Sequence, residues 1–301
     1  MRPNWLTDEA FPFQSRWIEI GPHHVHYVDE GSGPALLFVH AGPAWTFVFR
    51  GLIENLRGEF RCIALDMPGS GLSNADTGYI PTMRSGAEVV REFVAKLDLA
   101  ELALVVNDVG TPVALGALRG SGLPTIRGIV VAEGFGWSLA SHNPKVVRIL
   151  RFVSSRPAVN FIGITNLMAL VTSTRFGVGR HLSRADKAVF RGPYRSRQVR
   201  RNAPIMLGDA AIDSEFLQEV DGALHSELSA TPLLTVFGAK SPAVKEGFPE
   251  QWKARMPHAR QLIVSGGHHF PHMDDPCRVA QSIRNWWRED VAAAGSTVAR
   301  A

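Results

Sequence analysis

The chain has 301 residues, of which 45% are hydrophobic and 20% are charged, a composition typical of one large α/β domain or of two smaller domains. A chain of this length can bury a core that needs no disulfide or metal, and its two cysteines, Cys62 and Cys277, have no metal-ligand spacing. The N-terminal residues do not resemble a secretory signal, and every apolar run is interrupted before the ~20 residues that a membrane span requires. We therefore expect a cytoplasmic protein without a metal or a cofactor.

The net charge of +4 is unevenly distributed. Eight arginines and Lys187 lie between Arg175 and Arg201, together with a single acid, Asp186. The arginines are scattered and no nucleic-acid motif accompanies them, so we predict a solvated helical face and no nucleic-acid partner. Binding of an anionic substrate or an anionic surface is the alternative.

The predicted strands follow one another with helices between them. The segments RWIEI and HHVHYVDEG predict an antiparallel pair joined near Gly21 and Pro22. Apolar runs then predict strands at ALLFVH (35–40), FRCIALD (60–66), LALVV before Asn107, IRGIVVAEG (126–134), PLLTVFG (232–238) and QLIVSGG (261–267). Helical spacing is clear from Thr82 to Leu97, and Asp275 followed by Pro276 predicts the start of a last helix.

The alternation of strands and helices stops between Trp137 and Leu228, where only helical spacing is found. Alternating βα units predict a mostly parallel, doubly wound sheet, and the inserted helices predict a lid over its carboxyl edge, where open α/β sheets place their ligands. Phe152, Phe161, Met168 and Leu170 are expected to line an apolar cavity or to pack in a core. The predicted divisions are a first core part at 1–136, a helical cap at 137–229, a second core part at 230–290 and a flexible tail at 291–301.

Asp108 stands between a buried strand and a small-residue helix, in the segment VVNDVG. Strand, nucleophile, glycine and helix in this order form a nucleophile elbow, whose sharp turn presents one side chain above the sheet. An aspartate in that place is ionised at neutral pH and can attack saturated carbon without a base, whereas the resulting ester needs a base-activated water for hydrolysis. Capping of the following helix is the alternative role for Asp108.

Three other segments supply what such chemistry needs. The backbone N–H groups of Gly42 and Val109 are candidates for an oxyanion hole. His268, His269 and His272 follow the last strand and are candidates for the base. Glu133 closes an otherwise apolar strand, which is unfavourable for a carboxylate unless it is exposed or paired, so it is the candidate for the acid that orients the histidine.

The segments HAGPAWTFVFR, LDMPGSGLS, VVNDVG, VVAEG and GHHFPHMDDP resemble, in order and spacing, those of the α/β-hydrolase superfamily. Within it they are most similar to haloalkane dehalogenases whose catalytic acid follows the sixth strand. The resemblance extends from about Phe13 to Trp287. It implies the α/β-hydrolase fold with a helical cap inserted after strand 6, and a triad of Asp108, Glu133 and His269. It also implies a small apolar organic substrate, water as co-substrate, no cofactor, and a monomer or weak homo-oligomer.

The chain departs from this family at the groups that bind halide. Where those dehalogenases carry a tryptophan and an asparagine, the chain has Val109 and Gly42, which have no side-chain donor. Trp45 and Trp137 are candidates to replace them in the substrate site. Related epoxide hydrolases use cap tyrosines as acids, and a pair of Tyr194 and His181 is the candidate here. A third alternative is a non-hydrolytic member that binds a small apolar ligand, since the same scaffold also serves a luciferase.

Overall fold

The computed structural model describes residues 3–40, 42–120, 123–141, 144–174, 177–180 and 182–293. These residues form one sheet of eight strands in the order β1-β2-β4-β3-β5-β6-β7-β8. The strands are β1 (Arg16–Ile20), β2 (His23–Glu30), β3 (Ala35–Val39), β4 (Arg61–Leu65), β5 (Glu101–Asn107), β6 (Thr125–Ala132), β7 (Leu233–Gly238) and β8 (Arg260–Val264).

Helices occupy most of the chain between the strands. They are α1 (Arg50–Leu56), α2 (Met83–Lys96), α3 (Gly110–Ala117), α4 (Pro144–Val153), α5 (Arg156–Thr165), α6 (Leu167–Thr172), α7 (Arg184–Phe190), α8 (Arg197–Ile212), α9 (Ser214–His225), α10 (Pro242–Lys245), α11 (Phe248–Arg255), α12 (Pro271–Asp274) and α13 (Pro276–Trp286). Short 3-10 turns cover Thr46–Phe49, Leu139–Ser141, Val178–Arg180 and Pro193–Arg195.

The sheet is mostly parallel, as predicted. Strands β1 and β2 form the expected antiparallel pair, β2 also runs antiparallel to β4, and the other neighbouring strands pair in parallel. The inner strands are apolar on both faces because helices cover both. In β3, for example, Leu37 packs with the helices α2 and α3, whereas Leu36 packs with α1 and α13. The predicted α/β-hydrolase fold is therefore confirmed.

The predicted helix boundaries rest on identifiable caps. Thr82 accepts a hydrogen bond from the backbone N–H of Ser85 and forms a capping box at the start of α2. Asp275 accepts one from the N–H of Arg278 at the start of α13, with Pro276 in the first turn. Both helices begin where the sequence predicted.

Between β6 and β7, the described residues contain helices and no strand. We call α4 to α9 the inserted helices. Val147 of α4 and Val159 of α5 are buried, whereas Phe152, Phe161 and Leu170 are 72%, 58% and 44% exposed. The expectation that these last three side chains line a cavity or a core is wrong, because the neighbouring helices leave each of them exposed. Of the predicted tail, residues 294–301 lie outside the described residues.

Two features are absent from the described residues. No helix there is both long and apolar enough to cross a membrane. No cluster of three or more His, Cys, Asp or Glu side chains in that part of the chain has an arrangement suited to a metal ion.

Candidate active site

Asp108 lies in a strained turn directly after β5. Its φ of +49° is in the left-handed region, which is unfavourable for a residue with a Cβ. Its N–H donates to Ala132 O (3.1 Å) and its C=O accepts from the N–H of Thr111 (2.9 Å), so the backbone on both sides of the turn is held. The side chain is 17% exposed and faces a cavity. The carboxylate caps no helix, because α3 has Val109 as its N-cap and no side-chain cap.

Gly110 permits this turn. A Cβ built on Gly110 would lie 2.5 Å from Val39 O and 2.7 Å from His40 O. Helix α3 therefore starts in contact with the backbone at the end of β3, which only a glycine allows. The close approach brings Asp108 beside the loop that follows β3.

Glu133 follows β6 and also has a positive φ, of +56°. Its side chain is completely buried. The N–H of Gly238 donates to Oε1 (2.6 Å) and the hydroxyl of Ser241 donates to Oε2. These partners compensate for the loss of water around a buried carboxylate. They also hold Glu133 in one orientation.

His269 lies between the two carboxylates. Its Nε2 is 3.5 Å from Oδ2 of Asp108, and its Nδ1 is 3.6 Å from Oε2 of Glu133. The loop that carries it lies on the end of β7, since a Cβ on Gly238 would be 2.2 Å from His268 O. Of the three candidate histidines, His269 alone contacts both acids. The N–H of His268 donates to Asp274 (2.7 Å), and His272 is buried against Phe49.

The carboxylates control the charge of this histidine. Burial lowers the pKa of His269, but its interactions with Asp108 and Glu133 raise it by more, so that the pKa is about 10. In the free enzyme His269 is therefore protonated at neutral pH and forms an ion pair with both acids. It becomes a base when one of the two charges is removed.

Above these residues is a cavity of about 370 Å³, which is suited to a small ligand. Its floor contains Asp108 and His269, and Glu133 also borders it. The remaining wall is mostly apolar and comes from the core and from α4, α8, α10 and the start of α11: Val109, Phe135, Leu139, Val146, Leu150, Leu207, Ala210, Pro242, Ala243, Glu246 and Phe248.

The two candidate oxyanion donors lie on the side of Asp108 near β3 and α3. Among the described residues, no acceptor binds the backbone N–H of Gly42 or Val109. Both residues border a second cavity of about 30 Å³, and Val109 also borders the larger one. Val109 thus separates the two spaces.

The structure does not bring Trp45 or Trp137 to the larger cavity. Trp45 is fully buried, and its indole N–H donates to Phe190 O (3.1 Å). Trp137 is 1% exposed and packs behind Phe248, with ring centroids 5.4 Å apart. Aromatic packing explains both positions, so neither supports the expected contact with substrate.

Tyr194 borders the small cavity and not the one that contains Asp108. Burial and the charge of Asp66 raise the pKa of its hydroxyl. The residue predicted to pair with it, His181, lies outside the described residues. The described part of the chain therefore places no tyrosine against the candidate nucleophile.

A second His–Asp pair, His26 and Asp66, is structural. Nδ1 of His26 is 2.8 Å from Oδ2 of Asp66, and both side chains are completely buried. Asp66 also accepts hydrogen bonds from the N–H groups of Thr46 and Leu72 (both 2.8 Å). Burial raises the pKa of Asp66, but His26, His40 and the hydrogen bond from the N–H of Leu72 together outweigh this effect, so the pKa is lowered. This pair holds the LDMPGSGLS loop to β2.

The sequence did not identify the groups that hold Glu133. Ser241 stands in the segment AKSPAV after β7, where the sequence offers no carboxylate. Ser241 followed by Pro242 is a helix-start signal, and Ser241 does accept from the N–H of Ala243 (3.1 Å). The sequence indicates this local role of Ser241, but it does not indicate the hydrogen bond from Ser241 to Glu133, which lies 108 positions earlier.

The fold and the site define the class. A model of the alpha/beta hydrolase fold family matches residues 34–276, which is most of the chain. The chain belongs to this family.

Several characterised relatives are haloalkane dehalogenases. Haloalkane dehalogenase 2 of Mycobacterium bovis is 27% identical over 284 residues, covering 91% of this chain and 95% of the relative. Cis-3-alkyl-4-alkyloxetan-2-one decarboxylase of Shewanella oneidensis is 23% identical over 297 residues, covering 94% of this chain and 91% of that one. The crystal structure of haloalkane dehalogenase DbeA from Bradyrhizobium elkani superposes with a TM-score of 0.79 at 20% identity, covering 93% and 99% of the two chains, and shows a shared fold.

Proposed function

We propose that this protein is a hydrolase of the haloalkane dehalogenase type, which cleaves a carbon–halogen bond in a small apolar substrate through Asp108. The observation that carries the proposal is the position of His269 between Asp108 and Glu133, at the floor of an apolar cavity. The names of the dehalogenase relatives support it. The inserted helices, over the predicted range 137–229, would then be the cap that closes the cavity.

In the first step, a carboxylate oxygen of Asp108 attacks the carbon that bears the halogen. The new C–O bond gives an ester, and the electrons of the C–X bond leave with the halide. The apolar walls, such as Phe135 and Leu150, exclude water and leave the attacking carboxylate poorly solvated.

In the second step, His269 activates water. Formation of the ester removes the charge of Asp108 and lowers the pKa of His269, which releases its proton to solvent and can then take a proton from a water molecule. The hydroxide adds to the ester carbonyl carbon, and the N–H groups of Gly42 and Val109 stabilise the resulting oxyanion. Release of the alcohol restores Asp108, so that one water and one alkyl halide give one alcohol, one halide and one proton.

The site offers few hydrogen-bond donors to the leaving halide. Gly42 and Val109 carry no side-chain donor, and the N–H of Trp45 is bonded to Phe190. A poorly stabilised halide slows the first step, so we expect iodides and bromides to react much faster than chlorides.

The test uses His269→Phe, which allows the first step and blocks the second. The variant and the wild type are incubated with 1-iodobutane, 1-bromobutane and 1,2-epoxyhexane, and intact mass is measured. We expect a stable alkyl adduct from a halide on Asp108 in the variant only. The double variant His269→Phe/Asp108→Asn is the control and should gain no mass. A folded variant that gains no mass from any of the three compounds contradicts a covalent route.

The missing halide donors favour one other candidate, the ring opening of an oxetan-2-one, as in the name of the Shewanella relative. Asp108 would attack the saturated ring carbon that is bonded to the ring oxygen. The bond between that carbon and the ring oxygen breaks, and the carboxylate so formed stays attached to the substrate through the neighbouring carbon. Loss of CO₂ would then form an alkene and return the bonding electrons to Asp108. This route consumes no water, so alkene production by His269→Phe at a wild-type rate would favour it over hydrolysis.

The two alternatives from the sequence have distinct outcomes in the same experiments. An epoxide adduct in the His269→Phe variant would favour an epoxide hydrolase. A non-hydrolytic binder would give no adduct and no turnover, and the wild type and the single variant Asp108→Asn would bind the apolar compounds with the same affinity.

A further inference from the structure

The inserted helices expose an apolar surface that faces away from the core. Helices α4, α5 and α6 all pack on α8. Their buried residues, such as Val147, Val159 and Ala169, face inward. The opposite side of the three helices carries large apolar side chains that are between 44% and 72% exposed, and we call these six residues the outer face: Ile149, Phe152, Phe161, Ile164, Leu170 and Val171.

Packing within the chain does not account for the outer face. In α4, Val146 and Leu150 line the active-site cavity, whereas Ile149 and Phe152 point to solvent. An exposed apolar patch made of several neighbouring side chains is unusual on a protein surface and marks a binding surface.

The charge around the outer face is of one sign. The sequence has no Asp or Glu between Glu133 and Asp186. Arg148, Arg151 and Arg156 are exposed on α4 and α5. Among the described residues, no acid forms an ion pair with Arg148 or Arg151. The apolar side chains are thus bordered by unneutralised positive charge.

We propose that the outer face binds the surface of an anionic lipid bilayer. Amphipathic helices that lie in the membrane interface combine apolar side chains with Lys and Arg in this way. Basic residues near an anionic leaflet each add to binding. A second copy of the chain fits less well, because a symmetric dimer through this face would place arginines opposite arginines with no acid between them.

Binding of the outer face to a bilayer would place the active-site cavity close to the lipid. Helix α4 would contact lipid through Ile149 and Phe152 and the active-site cavity through Val146 and Leu150. An apolar substrate dissolved in the bilayer would then be one helix away from Asp108. The proposal applies to whatever apolar compound the site converts, and it does not depend on the bond that is cleaved.

The test is flotation of the full-length protein with lipid vesicles. One set contains phosphatidylcholine alone, and the other contains about one third phosphatidylglycerol. We expect at least about tenfold more protein on the anionic vesicles, and loss of this difference when the ionic strength rises from about 0.1 M to about 1 M, since the Debye length falls from about 10 Å to about 3 Å. Absence of binding to the anionic vesicles overturns the proposal, whatever the enzymatic activity.

Two double variants locate the surface. Phe152→Ser/Phe161→Ser removes apolar contact, and Arg148→Glu/Arg151→Glu reverses the charge; each should lower vesicle binding by about tenfold or more. The controls are Ile80→Ser/Ile263→Ser and Arg278→Glu/Arg288→Glu, which change exposed apolar residues and exposed arginines outside the inserted helices.

Circular dichroism and thermal melting establish that each variant is folded. Equal loss of binding in the test variants and the controls overturns the proposed location. Sedimentation velocity tests whether a second copy of the chain occupies the outer face instead. If the wild type is a dimer and Phe152→Ser/Phe161→Ser is a monomer, the outer face is a dimer interface and the proposal of membrane binding is overturned.

Discussion

The charge of Asp108 and the proton affinity of His269 are coupled. Nε2 and Nδ1 of His269 each lie within 3.6 Å of a carboxylate oxygen, and the two acids together hold its pKa at about 10. In the proposed mechanism, esterification of Asp108 would therefore convert His269 from an acid to a base at the step where a base is needed.

Removal of the charge of Asp108 without a reaction tests this coupling. We expect Asp108→Asn to lower the pKa of His269 by about one unit or more, because one of the two raising carboxylates is lost. Titration of the His269 ring by NMR measures the shift. Asp98→Asn is the control, since Asp98 also has a positive φ, of +50°, but lies far from the site at the end of α2. An unchanged pKa in Asp108→Asn would contradict the proposed switch.

The missing halide donor at Gly42 permits a gain-of-function test. A Cβ on Gly42 would make only ordinary contacts of 3.8–4.0 Å with Ala203, so this position accepts a side chain. We expect Gly42→Asn to raise the rate of bromide release by about tenfold or more, because it adds a donor to the departing anion. Gly42→Leu, similar in size but without a donor, should not. Equal rates in both variants would exclude halide binding by this position.

At the scale of elements, the site depends on the distance between α3 and the end of β3. We expect Gly110→Ala to destabilise the protein by about 1–3 kcal/mol and to reduce turnover, because the new Cβ would force α3 and the Asp108 turn away from Val39 O. Urea denaturation and steady-state rates measure the two effects.

Gly222→Ala is the matched control for this change. Gly222 lies within α9, and a Cβ there would meet no atom within 4 Å. Alanine in an open helical position should leave activity unchanged and raise stability by up to about 1 kcal/mol. Equal behaviour of the two alanine variants would show that the close approach at Gly110 has no functional role.

The stability of the whole molecule should depend on pH through a buried histidine outside the triad. His272 is 1% exposed, and neither ring nitrogen has a hydrogen-bond partner among the described residues. Burial and the charge of His269 lower the pKa of His272 to about 3. Below about pH 6.5 the unfolded chain therefore binds a proton that the folded chain excludes, and stability is lost as the pH falls.

His272→Leu removes this contribution while keeping a side chain of similar volume. The variant should become more stable relative to the wild type, with a larger free energy of unfolding, as the pH falls from 7 to 5. Urea denaturation at both pH values measures the difference. His24→Leu is the control at an exposed histidine and should show no such trend; a pH-independent difference for His272→Leu would contradict the predicted protonation.

The sequence by itself determined the sheet, the order of its elements and the candidate reactive residues. Apolar runs of five to eight residues between helical segments predict strands, and parallel strands bring their carboxyl ends to one edge of the sheet. Asp108, Glu133 and His269 each follow a strand, so their convergence was predictable from position alone.

Only the tertiary structure decided which groups meet across long stretches of chain. It showed that the N–H of Gly238 and the hydroxyl of Ser241 bind Glu133, and that the N–H of Trp45 donates to Phe190. It also showed that Phe152 and Phe161 face solvent. The sequence could not predict this, because an amphipathic pattern gives the spacing of apolar residues but not which side of the helix its neighbours cover.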